Sequence, residues 1–201
     1  MPDITTAPFL LILTAIAAYL LGAIPFGIAM SRLFGLGDLR QIGSGNIGAT
    51  NVLRTGNKFA ALLTLIGDAG KGGAAVLIAR ALLGPDAAQL AGFAAFLGHC
   101  FPIYLNFKGG KGVATFLGTL LALFWPAGIA ACFTWLVVAL IFRILSLAAL
   151  IAAVMSPIWL AFLGMPNATV FGVALAILIL WRHRSNIARL LKGTEPKIGK
   201  K

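Results

Sequence analysis

Seven apolar runs, near residues 9–30, 59–83, 87–105, 113–124, 127–142, 146–163 and 168–181, occupy most of this 201-residue chain and leave it little to become except a set of membrane-crossing helices. A helix satisfies its own backbone hydrogen bonds in hydrocarbon, and at 1.5 Å per residue a run of about 20 residues crosses roughly 30 Å. A hydrophobic content of 60% against 10% charged residues excludes an ordinary soluble domain. The expectation is an all-α, polytopic integral membrane protein: a single membrane-embedded domain over residues 1–201 with about seven transmembrane helices, several of them short. Gly22 and Pro25 predict a kink near the end of the first. Pro126 with Gly128 favours two short helices over one broken helix across 113–142. The opening Met-Pro-Asp-Ile lacks the basic stretch of a secretory signal, so the first run reads as retained.

The net charge of +11 is not spread evenly. With seven spans, the segments 31–58 and 106–112, the Arg143 turn and the tail 182–201 fall on one side and hold 14 of the 16 lysines and arginines. Only Lys71 and Arg80, inside the second run, lie elsewhere, and the other side shows Asp3 and Asp86. The positive-inside rule then places the N-terminus outside and the C-terminus in the cytoplasm. Basic residues in membrane-adjacent loops without interleaved aromatics do not suit nucleic acid.

Two of the cationic segments are rich in glycine. The first reads Gly43-Ser44-Gly45-Asn46-Ile47-Gly48-Ala49-Thr50-Asn51 with Arg54 close behind; the second reads Phe107-Lys108-Gly109-Gly110-Lys111-Gly112-Val113-Ala114-Thr115. Glycine lets successive N–H groups turn toward one point, and Ser44, Asn46, Thr50 and Asn51 add donors. A guanidinium such as Arg54 grips phosphate with two hydrogen bonds. No general base neighbours Ser44. The second segment is no Walker A motif, since Gly112 follows Lys111 and Thr115 stands four residues on. Gly109, Gly110 and Gly112 instead expose donors at the start of a helix from Val113, where the dipole favours an anion, and Lys108 and Lys111 supply countercharge. Read as connectors, the same segments are turns that cap the following helices.

Asp68 and Lys71 interrupt the second run at helical spacing, so they share a face as an ion pair that is structural or orders the site; His99 is a supporting residue. Cys100 and Cys132 sit in apolar runs without metal-ligand spacing and read as buried thiols; no metal site and no cofactor is implied. In the tail, His183, Asn186 and Arg189 recur every third residue, facing one way on a helix, and Glu195, the only glutamate, suits a partner that orients one of the loop cations. Taken alone, the tail reads as a basic amphipathic segment drawn to anionic lipid.

Together, the first glycine segment with Arg54, then Gly98-His99 through Thr115, then His183, Asn186, Arg189 and Glu195 resemble the three cytoplasmic motifs of the PlsY family, the bacterial acyl-phosphate:glycerol-3-phosphate acyltransferases. The resemblance covers nearly the whole chain in order, with no departure at a motif position. It implies a transferase of phospholipid biosynthesis, embedded in membrane lipid of the bacterial cytoplasmic (inner) membrane, with its active site on the cytoplasmic face. The reaction implied moves a long-chain acyl group from acyl phosphate to the 1-hydroxyl of sn-glycerol 3-phosphate, giving lysophosphatidic acid and phosphate. It also implies functional coupling to an enzyme that makes acyl phosphate. Catalytic roles then fall to Ser44, Arg54, Lys111, His183 and Asn186, and substrate binding to Gly45, Asn46, Thr50, Asn51, Lys108, Gly109, Gly110, Gly112, Thr115, Arg189 and Glu195.

The His-x-x-x-x-Asp signature of acyl-CoA-type glycerolipid acyltransferases is missing, because Tyr104 follows His99 and Ala188 follows His183 at that spacing. Catalysis would then rest on positioning and on neutralising phosphate charge. A transporter of phosphate or an organic phosphate is the alternative, but no internal repeat is visible. An enzyme of the CDP-alcohol type would need clustered aspartates, and only Asp38 and Asp68 lie on the cationic side or within a span.

Overall fold

The computed structural model describes residues 2–199, so Met1 and the last two lysines of the tail, Lys200 and Lys201, lie outside the described residues. Among those residues there is no strand, and all seven apolar runs are helical. The helices are α1 (Pro8–Gly22), α2 (Phe26–Leu33), α3 (Ala49–Leu53), α4 (Lys58–Leu83), α5 (Pro85–Cys100), α6 (Val113–Leu123), α7 (Trp125–Phe142), α8 (Leu145–Phe162), α9 (Thr169–Arg182) and α10 (Arg184–Leu191).

Five stretches are long and apolar enough to cross a bilayer: Pro8–Leu33, Lys58–Leu83, Pro85–Leu105, Trp125–Phe142 and Leu145–Phe162. A sixth follows if Pro166–Arg182 and α10, bent by 66° at their junction, count as one. The remaining run, α6, has eleven residues and is too short to span alone. The kink expected in the first run is a break between α1 and α2, at Pro25, which has no N–H to give a continuing helix. The run 113–142 divides at Phe124, whose backbone is extended.

The chain forms two compact units, one of Ile4–Leu123 and one that begins at Phe124. In the first, α5 packs on both α1 and α4, and α4 packs on α6. The α1–α5 seam is made by backbone: a Cβ on Gly22 would run into the main chain of Ala95, and one on Gly98 into Tyr19 O and Ala23 N. Alanines cluster there, Ala18 from α1 and Ala91 and Ala95 from α5, joined by Ala75 from α4. Lipid tails are as apolar as the helices, so close van der Waals contact between small residues supplies the attraction that a hydrophobic effect cannot. Asp86, expected in a connector, lies in the first turn of α5, where the dipole favours a carboxylate. It accepts hydrogen bonds from Thr5 N at 3.0 Å and Thr6 N at 2.8 Å, tying down the chain ahead of α1.

In the second unit, α8 packs against α7 and α9, and Trp159 Nε1 donates to Thr134 Oγ1 at 3.1 Å. Arg143 turns the chain between α7 and α8 in the left-handed region, with φ of 58°. The end of the tail comes back to that turn: Ile198 N donates to Arg143 O at 2.7 Å and Arg143 Nη2 donates to Ile198 O at 3.0 Å. The sequence placed the Arg143 turn and the tail on one side, and within this unit they meet. Leu82, Leu140 and Phe162 are among the large side chains left outside, as a surface facing lipid requires.

Candidate active site

The segment after α2 is more ordered than a glycine-rich connector. A single 3₁₀ turn, Leu39–Gln41, is capped by Asp38 Oδ1, which accepts Arg40 N at 2.9 Å. Thr50 and Asn51 then fall on the short helix α3. Asn51 is buried and works as a brace: Nδ2 donates to Leu39 O at 2.8 Å, while Oδ1 accepts Ser44 N at 3.2 Å and lies 3.5 Å from Ser44 Oγ. Asn46 Oδ1 takes the next amide, Ile47 N, at 3.0 Å. Arg54, at the end of α3, lies along Gly43, where any Cβ would meet Asn51 Oδ1 and Arg54 Cδ. Ser44, Gly45, Thr50 and Arg54 are exposed.

In the second glycine segment Asn106 and Phe107 both adopt positive φ, at 51° and 60°, and reverse the chain after α5. Gly110 N donates to His99 O at 3.1 Å, so this amide, one of those expected around an anion, is turned into the protein. Gly112 O accepts Phe116 N at 2.8 Å as α6 begins. Thr115, in the first turn of α6, is fully buried and its Oγ1 has no hydrogen-bond partner. Lys108 is exposed and Lys111 half-buried. Arg40 Nη2 donates to Lys108 O at 3.5 Å, which brings the two glycine segments together.

Beneath them lies an ionic cluster. Asp68 and Lys71 are paired as expected, with Nζ 2.8 Å from Oδ1, and Lys71 also donates to Ile24 O at 2.7 Å, in the break between α1 and α2. His99 joins them, its Nδ1 lying 3.4 Å from Asp68 Oδ1.

The third motif belongs to the second unit. His183 ends α9 and α10 starts at Arg184, so the spacing of His183, Asn186 and Arg189 does not run along one continuous helix: the 66° bend falls at His183. His183 is buried, and its Nδ1 faces Ile179 O at 2.8 Å, which places the ring hydrogen on Nδ1. Glu195 gathers three donors. Asn186 Nδ2 donates to Oε1 at 2.6 Å, Ser146 Oγ to Oε1 at 2.7 Å, and Arg189 Nε to Oε2 at 2.6 Å. Burial pushes this carboxyl up, but the bonds from Ser146, Asn186 and Arg189 outweigh it and hold the group below its ordinary value. Glu195, expected to orient one of the loop cations, pairs instead with Arg189 of the tail, six residues away in the chain.

The model of the glycerol-3-phosphate acyltransferase family matches residues 12–193. The chain belongs to that family. Glycerol-3-phosphate acyltransferases from Jannaschia sp. (strain CCS1) and Dinoroseobacter shibae are 70% and 64% identical, covering 99% and 100% of this chain and 98% and 99% of their own. Two crystal structures of PlsY (YgiH), an integral membrane glycerol 3-phosphate acyltransferase, share the fold. The glycerol 3-phosphate form has a TM-score of 0.89 at 40% identity over 94% of this chain and 96% of that one; the lysophosphatidic acid form has 0.88 at 39% over 94% and 95%. The acyltransferase motifs were legible in sequence, whereas Ser146 and Arg40 were not singled out. Ser146 carried a faint signal as a hydroxyl three residues after Arg143 in an apolar run; Arg40 looked like any positive-inside charge.

Proposed function

We propose that this chain transfers a long-chain acyl group from acyl phosphate to the 1-hydroxyl of sn-glycerol 3-phosphate, the first acylation of phospholipid synthesis, at the cytoplasmic face of a bacterial inner membrane. The observation that carries the reading is the meeting of the two glycine-rich cationic segments through Arg40 and Lys108, in a family named for glycerol 3-phosphate. Two phosphorylated substrates need two anion sites, and these segments supply charge and donors for both.

In this reading Lys108, Lys111, Gly109, Gly112 and Thr115 serve one phosphate, and Ser44, Gly45, Asn46, Thr50 and Arg54 the other. Thr115 Oγ1 is a buried hydroxyl in want of a partner at a helix N-terminus, which suits an anion. Asn51 and Gly110 hold the backbone in place, since their polar groups are engaged within the protein. His183 and Asn186 remain catalytic in it and Arg189 substrate-binding, with Glu195 orienting Arg189 and Asn186; a carboxylate placed against phosphate would repel it. The acceptor oxygen attacks the acyl carbonyl carbon, the bond from that carbon to the phosphate oxygen breaks, and the hydroxyl proton leaves with the phosphate. Arg54 and Lys111 neutralise the charge gathering on the leaving group, a role worth about 10²–10³ in rate per donor.

The test is purified protein in lipid with glycerol 3-phosphate and either palmitoyl phosphate or palmitoyl-CoA. Lysophosphatidic acid and phosphate formed together from palmitoyl phosphate alone is the expected result. Product from the thioester overturns the donor, and saturable glycerol 3-phosphate binding without turnover on either donor points to a transporter.

A further inference from the structure

Asp68, Lys71 and His99 are among the most buried groups of the chain, with side chains 3%, 1% and 5% exposed, in helices read as membrane spans. A charged set at this depth is a poor way to hold helices together, because well-packed apolar side chains do as well without the desolvation penalty. Its placement offers another reason. Lys71 Nζ bonds Ile24 O, in the break that launches α2, and Gly27 of α2 lies so close to Ile47 O of the first glycine segment that a Cβ there would strike it. His99 lies under the second glycine segment: its carbonyl takes the Gly110 amide, and its ring fills the space where a Cβ on Gly110 would stand, against Nε2, Cε1 and Cδ2. Asp68 joins the two ends, with Lys71 on one side and His99 on the other. An ion pair serving stability alone has no need to touch both motif-bearing segments.

We propose that Asp68, Lys71 and His99 form a buried positioning cluster that seats the segment 108–112, with the His99 ring as its floor, so that disturbing the ring lowers kcat/KM. This rests on the acyl-transfer reading. Lys111 follows directly on Gly110, and a displacement of about 1 Å at a group that acts in the transition state costs on the order of 10² in rate.

The experiment is a double-substitution cycle in lipid with wild type, His99→Ala, Gly110→Ala and the pair, scoring kcat and KM for glycerol 3-phosphate and hydrogen exchange of residues 108–112. The expected result is a loss of at least tenfold in kcat/KM for each single variant, with faster exchange over residues 108–112. The pair should be no worse than the worse single, since both changes act at one contact. Wild-type kcat/KM in His99→Ala, or losses that multiply in the pair, overturns the proposal. If His99→Ala does not fold, His99→Phe keeps the ring volume but loses the Asp68 link, and wild-type kcat/KM in that variant overturns the proposal equally. Hydrogen exchange separates the two failures: a wild type without acyl transfer sinks the proposed function, whereas exchange of 108–112 unchanged by His99→Ala or His99→Phe sinks the positioning cluster whatever the activity.

Discussion

Each unit of this acyltransferase has a carboxylate hub, and the two hubs sit in opposite surroundings. Asp68 is enclosed by helices and faces Lys71 and His99, whereas Glu195 gathers Ser146, Asn186 and an Arg189 whose side chain is 41% exposed. In the low dielectric of a span, losing one partner strands the other as an uncompensated charge. Beside water, solvent takes over the vacated role and the cost shrinks. The inner hub should therefore govern whether the first unit folds at all, and the outer one how firmly the tail is held.

The largest expected effect is Asp68→Ala, which leaves the Lys71 ammonium buried without its anion and should cost about 3–5 kcal/mol. Thermal unfolding in lipid checks it, and adding Lys71→Met should recover most of the loss. If Asp68→Ala and Glu195→Ala prove equally mild, the contrast between the hubs is wrong. Next come Arg54→Ala and Lys111→Ala, expected to lower turnover by about 10²–10³ with the unfolding midpoint unmoved; near-normal rates in either would remove that residue from the chemistry. Glu195→Gln keeps one acceptor oxygen but gives up the other and the charge, so the partly exposed tail should loosen by about 1 kcal/mol, read as faster hydrogen exchange over residues 184–195.

Acid sharpens the same point. Glu195 is held below its ordinary value, so its contribution is complete above about pH 4.3, the unfolded value, and is lost as pH falls through the lowered folded value. Protection of the tail, corrected for the intrinsic pH dependence of amide exchange, should stay flat from pH 7 to 5 and fall only in more acid solution; loosening already at pH 6 would assign the hold to another group. Ser146→Ala should be smallest, about 0.5–1.5 kcal/mol of tail protection, since a neutral hydroxyl donates one of three bonds to the carboxylate.

The helical runs and the glycine motifs were open to sequence reading because both are local. Apolar length announces a span, and Gly109-Gly110-Lys111-Gly112 before a helix announces a candidate anion site. Relations across the fold were not so open. The spacing of His183, Asn186 and Arg189 suggested one helix, but spacing holds no mark of the bend at His183. Asp68 and Lys71 are three residues apart and could be paired on paper, while His99, 31 positions from Asp68, meets it only because α5 packs on α4. Asn51 had the chemistry of a ligand, and only the path of the chain at Leu39 and Ser44 shows its side chain spent on bracing.

The contact between His99 and Gly110 also works as a depth gauge. Lys58 opens α4 and Asp68 follows ten residues later, so the floor of the second glycine segment lies roughly 15 Å along that helix from its start. At the proposed site, then, the water-soluble partner meets Ser44, Arg54 and Lys108 at the exposed side of the segments, while the support beneath them is set well inside the helices, where neither solvent nor substrate would disturb it.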